Sequence, residues 1–444
     1  MQNIWHHQRI RRDELRLLDG RTVRVLHPGF WNHGAGPDFR GAVVQFDRDP
    51  PVSGDVEVDL HSTGWRGHAH DRNPSFASVK LHVVWEGETN TSIPTLALKA
   101  VIDAPLVELA LWLTSDVAQK YPERLLGQCA APLRDLSESQ VEQLLNEAAL
   151  VRLQRKAADL QARARQAGWE QALWEGMLRA LGYKQNVWPM QRIGELRARL
   201  SAERLALVPS QARLLGVSGL LPNDLTRRQR SADTYLRTVW DHWWRERDAF
   251  SDCALPKGLW RLNSLRPANH PQRRLALAAH WSGDAALFKR IEKWFAATPP
   301  RNGLAESLLE TMQPDMDPFW ARHWTLRSAT MPKPQPLLGA TRVTDLAINI
   351  VLPWFWVRAR EGNNARLQAE AEQRYFAWPA AEDNAVLRLA RDRLLGGRKS
   401  AKLASAASQQ GLLQVVRDFC DHSNALCADC KFPELVQNWQ LTAS

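Results

Sequence analysis

Gly54-Asp55-Val56-Glu57-Val58-Asp59-Leu60-His61, with Gly36-Pro37-Asp38-Phe39 upstream of it, decides how the chain begins. Alternation of polar and apolar residues over eight positions predicts a half-buried strand and not a helix. With a period of two, Asp55, Glu57, Asp59 and His61 share one face, while Val56, Val58 and Leu60 share the other. Working outward, Ala42–Phe46, Val79–Trp85 and Thr95–Leu98 also read as strands, and Leu15–Leu18 with Arg21–Leu26 reads as a hairpin about Asp19-Gly20. Gly and Pro clusters at 33–37 and 49–51 separate them. From about Leu106 the apolar period becomes that of helices, among them Ser137–Ala167, Trp169–Leu181, Met190–Leu200, Arg227–Glu246, His270–Ala279 and Ala385–Leu395. Three prolines within Met331–Leu338 suggest a linker or surface crossing. The expected fold is an α+β or α/β N-terminal module with a small central sheet, followed by a large, mostly α-helical region. The expected parts are a strand-rich module at 1–105, a helical domain at 106–330 and a C-terminal helical region at 331–444.

Three acids on one strand face repel one another unless a cation or water relieves them. Hard cations such as Mg2+ or Mn2+ take such oxygen ligands, and Asp38, just ahead of the preceding strand, is placed to join Glu57 from its neighbour. Two carboxylates holding a divalent ion beside a scissile phosphate, with a basic side chain to position water, form a hydrolytic site. Over residues 37–82 this arrangement resembles the Pro-Asp/Asp-Glu-x-Lys nuclease superfamily. Where that pattern has Lys, two residues after Glu57, this chain has Asp59, so His61 or Lys80 is the candidate for the basic group. Nearby His68, His70 and His82 offer nitrogen ligands suited to zinc, manganese or iron, or charged donors to phosphate. The ordinary alternative is a solvated strand face beside a geometric turn, with His82 packed and His68 and His70 at the surface.

Cys420, His422, Cys427 and Cys430 form Cys-x-His-x4-Cys-x2-Cys, a donor set suited to a structural Zn2+ site. No metal at all, or a redox or cluster role, are the other readings of these residues. The segment 261–274 carries four Arg; Arg266, Arg273 and Arg274, with Asn269, are candidate phosphate contacts. Helix-start chemistry at Pro271 and interhelical salt bridges explain the same residues structurally.

The chain of 444 residues has 58 Lys and Arg against 48 Asp and Glu, a net charge of +10. Of the basic residues 46 are Arg, which favours bidentate contacts to phosphate and permits a nucleic-acid partner. No run approaches the ~20 apolar residues of a membrane span and no apolar leader opens the chain, so a cytoplasmic protein without a membrane partner is expected. No P-loop, dinucleotide-binding glycine fingerprint, serine elbow or metalloprotease His-Glu motif occurs.

Ordered blocks run along nearly the whole chain: Leu26-His27-Pro28-Gly29, Gly34-Ala35-Gly36-Pro37-Asp38-Phe39, Gly54-Asp55-Val56-Glu57-Val58, Gly64-Trp65-Arg66-Gly67-His68-Ala69-His70, Leu81-His82-Val83-Val84, Leu181-Gly182-Tyr183-Lys184-Gln185-Asn186, Gly219-Leu220-Leu221-Pro222, Thr344-Asp345-Leu346-Ala347-Ile348-Asn349 and Gln410-Gly411-Leu412-Leu413. With the 266–274 segment and the terminal Cys group, they resemble a bacterial family catalogued as domain of unknown function 2851. The resemblance implies a bacterial protein and adds no reaction. The residues themselves lead to three expectations. The first is a metal-dependent phosphodiesterase acting on nucleic acid, with Asp38, Glu57 and Asp59 at the ion and His61 or Lys80 as the basic group. The second is a non-enzymatic nucleic-acid-binding or assembly protein with a structural metal and a possible protein partner. The third is a metal-dependent hydrolase of a small phosphorylated substrate.

Overall fold

In a computed structural model the chain is described at residues 1–32, 36–88, 93–106, 109, 131–183, 185–201, 205–231, 234–262, 265–297, 303–383, 385–395, 403, 405–421 and 431–443. Six strands make one sheet: β1 (Val23–His27), β2 (Phe30–Trp31), β3 (Phe39–Phe46), β4 (Val52–His61), β5 (Val79–Glu86) and β6 (Thr95–Ala97). Their order is β1-β3-β4-β5-β6, with β2 also paired to β3. The pairings of β3 with β1, β2 and β4 are antiparallel, while β4–β5 and β5–β6 are parallel. A parallel pair needs a crossover. Between β4 and β5 it consists of a one-turn helix, α2 (Gly64–Gly67), and two 3-10 turns, His70–Arg72 and Pro74–Phe76. The sheet-then-helices fold class read from the sequence is the one observed.

β4 keeps an unbroken period of two, and its neighbours carry the irregularities. On β3, three steps from Phe39 to Ala42 face two steps from Val56 to Gly54, so β3 holds one extra residue. Gly41, at φ +66°, adopts the left-handed backbone there. On β5, Val79 pairs with Asp55 and Leu81 with Val56, which leaves Lys80 as the extra residue. The apolar face is tightly packed at its centre, where Val56, Leu81, Val83 and Phe39 are fully buried, while Leu60 near the end of β4 is exposed. Trp5, from the N-terminal helix α1 (Gln2–His6), is also fully buried, and its indole N–H donates to the Pro28 carbonyl at 3.0 Å.

The chain forms two compact units interleaved in sequence. The first comprises Met1–Leu109, Gln166–Ala296 and Glu310–Gly339; the second comprises Ala110–Arg165, Ala297–Leu309 and Ala340–Ser444. In the first, Glu195 closes helix Val187–Glu195 and receives Arg12 at 2.6 Å and Arg192 at 2.9 Å, in a site closed to solvent. The helix expected over 227–246 is two pieces, Arg227–Ser231 and Tyr235–Glu246, because Thr234 caps the second by accepting from the Arg237 N–H. The Pro-rich stretch 331–338 is non-helical, as expected, yet Leu337 and Leu338 are buried.

The second unit is helical among its described residues. Gly411 of helix Ala406–Val415 lies against the Leu145 carbonyl of Glu138–Ala167, an approach no Cβ would permit. A π-helical turn, Ala347–Val351, precedes Leu352–Glu361. Pro353 has no N–H to give Asn349, four residues back, which explains the local change of pitch. Among the described residues no helix is long and apolar enough to cross a membrane.

Candidate metal centre

The polar face of β4 is where the first unit gathers its ionisable groups. Glu57 and Asp59 point the same way by alternation, and His82 of β5 pairs directly with Glu57. The crossover returns over this face and brings His68 and His70 down on it. His82 Nε2 lies 3.0 Å from Asp59 Oδ2, His68 Nδ1 lies 3.3 Å from Asp59 Oδ1, and His70 Nε2 lies 3.3 Å from Glu57 Oε1. Asp38, at the head of β3, completes the carboxylates. Its main-chain N–H donates to Glu57 Oε2 at 3.0 Å, and its own carboxylate accepts from the Val58 N–H at 3.1 Å and from Gln2 Nε2 at 2.7 Å.

Electrostatics set this group apart from an ordinary strand face. Burial, reinforced by the charges of Asp38 and Asp59, pushes the Glu57 carboxyl up to about 8. Burial also raises Asp38, against the pull of its donors Val58 and Gln2. His70 is moved down, again mainly by burial. Its ring stacks on Phe76, with centroids 3.9 Å apart, and stands edge-on to Trp65. Both of its ring nitrogens are buried without a hydrogen-bond partner, because the 3.3 Å approach to Glu57 lacks hydrogen-bond alignment; Nδ1 of the fully buried His82 is likewise unpartnered. Unpaired buried nitrogens beside raised carboxylates are donors that a divalent cation could satisfy. Asp59, His68 and His70 each offer one ligand atom, and these atoms all lie within 4.8 Å of one another. A glycine makes the closeness possible: a Cβ on Gly64 of α2 would sit 2.7 Å from Asp59 Cγ and 2.9 Å from both carboxylate oxygens.

The remaining sequence candidates fall elsewhere. Asp55 shares the carboxylate face, but it accepts from the Gly41 N–H at 3.0 Å and from Ser78 Oγ at 2.5 Å. His61 is exposed at the end of β4, paired across to Glu86. Lys80 is the bulge residue of β5, and its stem runs where a Gly54 Cβ would stand, on the side of Val56 and Val58. The bulge thus turns Lys80 from the carboxylates and leaves His82 as the basic neighbour from β5. Arg273 is buried, donating to the carbonyls of Trp320, His323, Gln335 and Pro336. Arg274, also buried, donates to the Leu337 carbonyl at 2.8 Å and to Asn269 Oδ1 at 3.0 Å. With these donors turned inward, the phosphate contacts expected of the pair are not on offer. Asn269 is committed to Arg274 and the Tyr183 hydroxyl, and Arg266 is exposed on the same loop. Cys420 falls at the end of a π-helical turn, Val416–Asp421, and His422, Cys427 and Cys430 lie outside the described residues, as does any Zn2+ site built on them. Sequence reading gave no signal for Gln2, and Gly64 stood out only within a family block.

Fold and site together define a class: a mixed six-stranded sheet carrying a carboxylate–histidine group, joined to a large helical region. Residues 1–384 match the model of the family described as "Protein of unknown function (DUF2851)", and the chain belongs to that family. No match was found among curated proteins or among solved structures.

Proposed function

We propose that the protein is a metal-dependent phosphodiesterase acting on nucleic acid, with its centre at Asp59, His68 and His70. The convergence of those three ligand atoms carries the reading. A divalent ion held there would supply Lewis acidity towards a phosphoryl oxygen and an activated water. Mixed nitrogen and oxygen donors favour Mn2+ or Zn2+ over Mg2+, because imidazole is a poor ligand for the hardest cation. The chain's own groups then have separate tasks. His82 orients Asp59 through its 3.0 Å contact, in the way a ligand carboxylate is held by an outer partner. Gln2 and the Val58 N–H fix the Asp38 carboxylate, and Asp38 and Glu57 add oxygen donors on the same side. Nucleic acid as the substrate is supported by the net charge of +10 and the prevalence of Arg.

Calorimetric titration of chelator-treated protein with Mn2+ and with Zn2+ is the first test, run beside Asp59→Ala and His70→Ala. Saturable binding lost in both variants, with ion-dependent cleavage of labelled single-stranded DNA, duplex DNA or RNA, is the expected result. Mn2+ bound equally well by both variants, or full occupancy without cleavage of any of the three substrates, would refute the reading.

A further inference from the structure

The alternation that sends Glu57 and Asp59 to one face of β4 sends Ser53 there as well. Across the sheet, Val43 of β3 pairs with Ser53, and His27 of β1 pairs with Val43. A row His27–Val43–Ser53 therefore crosses three strands on the face that bears the metal candidates. Over this row lies an open-mouthed cavity of about 240 Å³, lined also by Phe30, Gly41, Pro256, Gly258, Leu259 and Arg261. Along β4 the step from Ser53 to Glu57 is about 13 Å and that to Asp59 about 20 Å, at ~3.3 Å per residue.

The chemistry of the walls is one-sided. Phe30 is 48% exposed, an unusual position for a large aromatic side chain in a sheet. Its ring lies 4.9 Å from that of His27, and the Arg261 guanidinium sits 5.0 Å above its centroid. Arg261 is exposed, and among the described residues no carboxylate pairs with it. His27 Nδ1 accepts from the Gly29 N–H at 3.0 Å, which leaves the ring proton on Nε2. Burial, and secondly Arg261, lower His27 to about 4, so the imidazole is neutral at physiological pH. The cavity thus offers an uncompensated guanidinium, a neutral imidazole, a hydroxyl and an aromatic face, with no acidic wall. A phosphate suits the guanidinium, and an unpaired base or its sugar suits the aromatic and imidazole walls.

We propose that this cavity is a nucleotide subsite for a single-stranded segment, a few nucleotides from the phosphate held at Asp59, His68 and His70, with Arg261 on the strand's backbone and Phe30 beside its base. The proposal rests on the phosphodiesterase reading, since that reading puts a strand across this face of the sheet.

Binding of short fluorescein-labelled single-stranded DNA and RNA to the full chain, followed by anisotropy in EDTA, separates the subsite from the chemistry. Arg261→Ala is expected to weaken binding about tenfold (~1.4 kcal/mol). It should also flatten the slope of log affinity against log salt by about 0.7, the loss of one phosphate contact to a single strand. Arg261→Lys should restore the slope, and Phe30→Ala should weaken binding while leaving the slope unchanged. Unchanged affinity and slope in Arg261→Ala, or no binding of either strand by the wild type, overturns the proposal. If Arg261-dependent binding stands but no cleavage occurs with the ion present, the phosphodiesterase reading fails and the strand site remains. Cleavage with KM unaltered in Arg261→Ala does the reverse.

Discussion

Two parts of the first unit carried chemical readings in the sequence: the β4 carboxylates, the more informative, and the Arg-rich segment around Pro271. They differ in how far their polar groups are satisfied: of the two Arg guanidinium groups only Arg274 Nε is buried without a hydrogen bond, whereas both ring nitrogens of His70 are. Arg273 is buried with four main-chain carbonyls around its guanidinium, and Arg274 reaches Leu337 and Asn269. Those acceptors include Gln335, Pro336 and Leu337, in the Pro-rich stretch, which has no regular secondary structure to use its carbonyls. The Arg pair thus fastens that crossing to the helix Pro271–Gly283. Over β4 the balance is opposite: both ring nitrogens of His70 lack a hydrogen bond, and Glu57 is raised by burial and by its like-charged neighbours. Buried polar groups that have found their partners hold a fold together, whereas those left without partners cost stability unless a ligand satisfies them.

The largest expected effect follows from that contrast. Arg273→Ala should destabilise the protein by about 3–5 kcal/mol in urea denaturation, because it strands several buried carbonyls at once. Arg273→Lys should rescue little, since an ammonium cannot reach four acceptors in one plane. Glu57→Gln in metal-free protein should be neutral or stabilising, because it removes one of three crowded carboxyls. A large loss from Glu57→Gln, or a small one from Arg273→Ala, would erase the distinction between the two parts.

Next in size is Gly64→Ala. The new methyl would stand against the Asp59 carboxylate, at 2.7 Å from Cγ before any relaxation, so the carboxylate must move. Metal affinity should fall ten- to hundredfold (~1.4–2.7 kcal/mol), the usual cost of disturbing a ligand's support. Circular dichroism should be unchanged, because α2 is a single turn at the surface of the crossover. Unaltered titration curves for Mn2+ and Zn2+ would show that Asp59 is not a ligand.

How much of this was legible beforehand depends on the range of the interactions. The period of two over 55–61 located β4 and its two faces, because side-chain direction in a strand is a local property. The strands at 42–46, 79–85 and 95–98 were likewise found to within a few residues. Lys80 and His82 were not distinguishable, since both have the parity of the polar face and only the bulge at 79–81, set by pairing with β4, separates them. The descent of His68 and His70 depends on the crossover's path, and Gln2 meets Asp38 across 36 residues of chain. Arg273 and Arg274 misled for a related reason: an Arg aimed at solvent and one aimed at distant carbonyls look alike until the Pro-rich stretch is in place. The cavity beside Arg261 was invisible because it needs β1, β3, β4 and residues 256–261 together.

The smallest effect is carried by a third carboxylate of the same unit, and it sharpens the comparison most. Asp317 is as secluded as Glu57, and burial alone would raise it. Instead it accepts from His280 at 2.9 Å, Gln211 at 2.6 Å and the main-chain N–H groups of Phe319 and Trp320, and together these donors bring it below the usual carboxylate range. A carboxyl lowered in the folded state contributes stability that is complete above its unfolded value of about 3.9 and is lost as the pH falls through the folded one. Asp317→Asn should therefore cost about 1 kcal/mol at pH 7 and progressively less as the medium is acidified below pH 4. Urea midpoints measured across that range would reveal it as a convergence of the two curves. Parallel curves would mean that the donors around Asp317 do not stabilise its charge, and that Glu57 owes its raised value to something other than their absence.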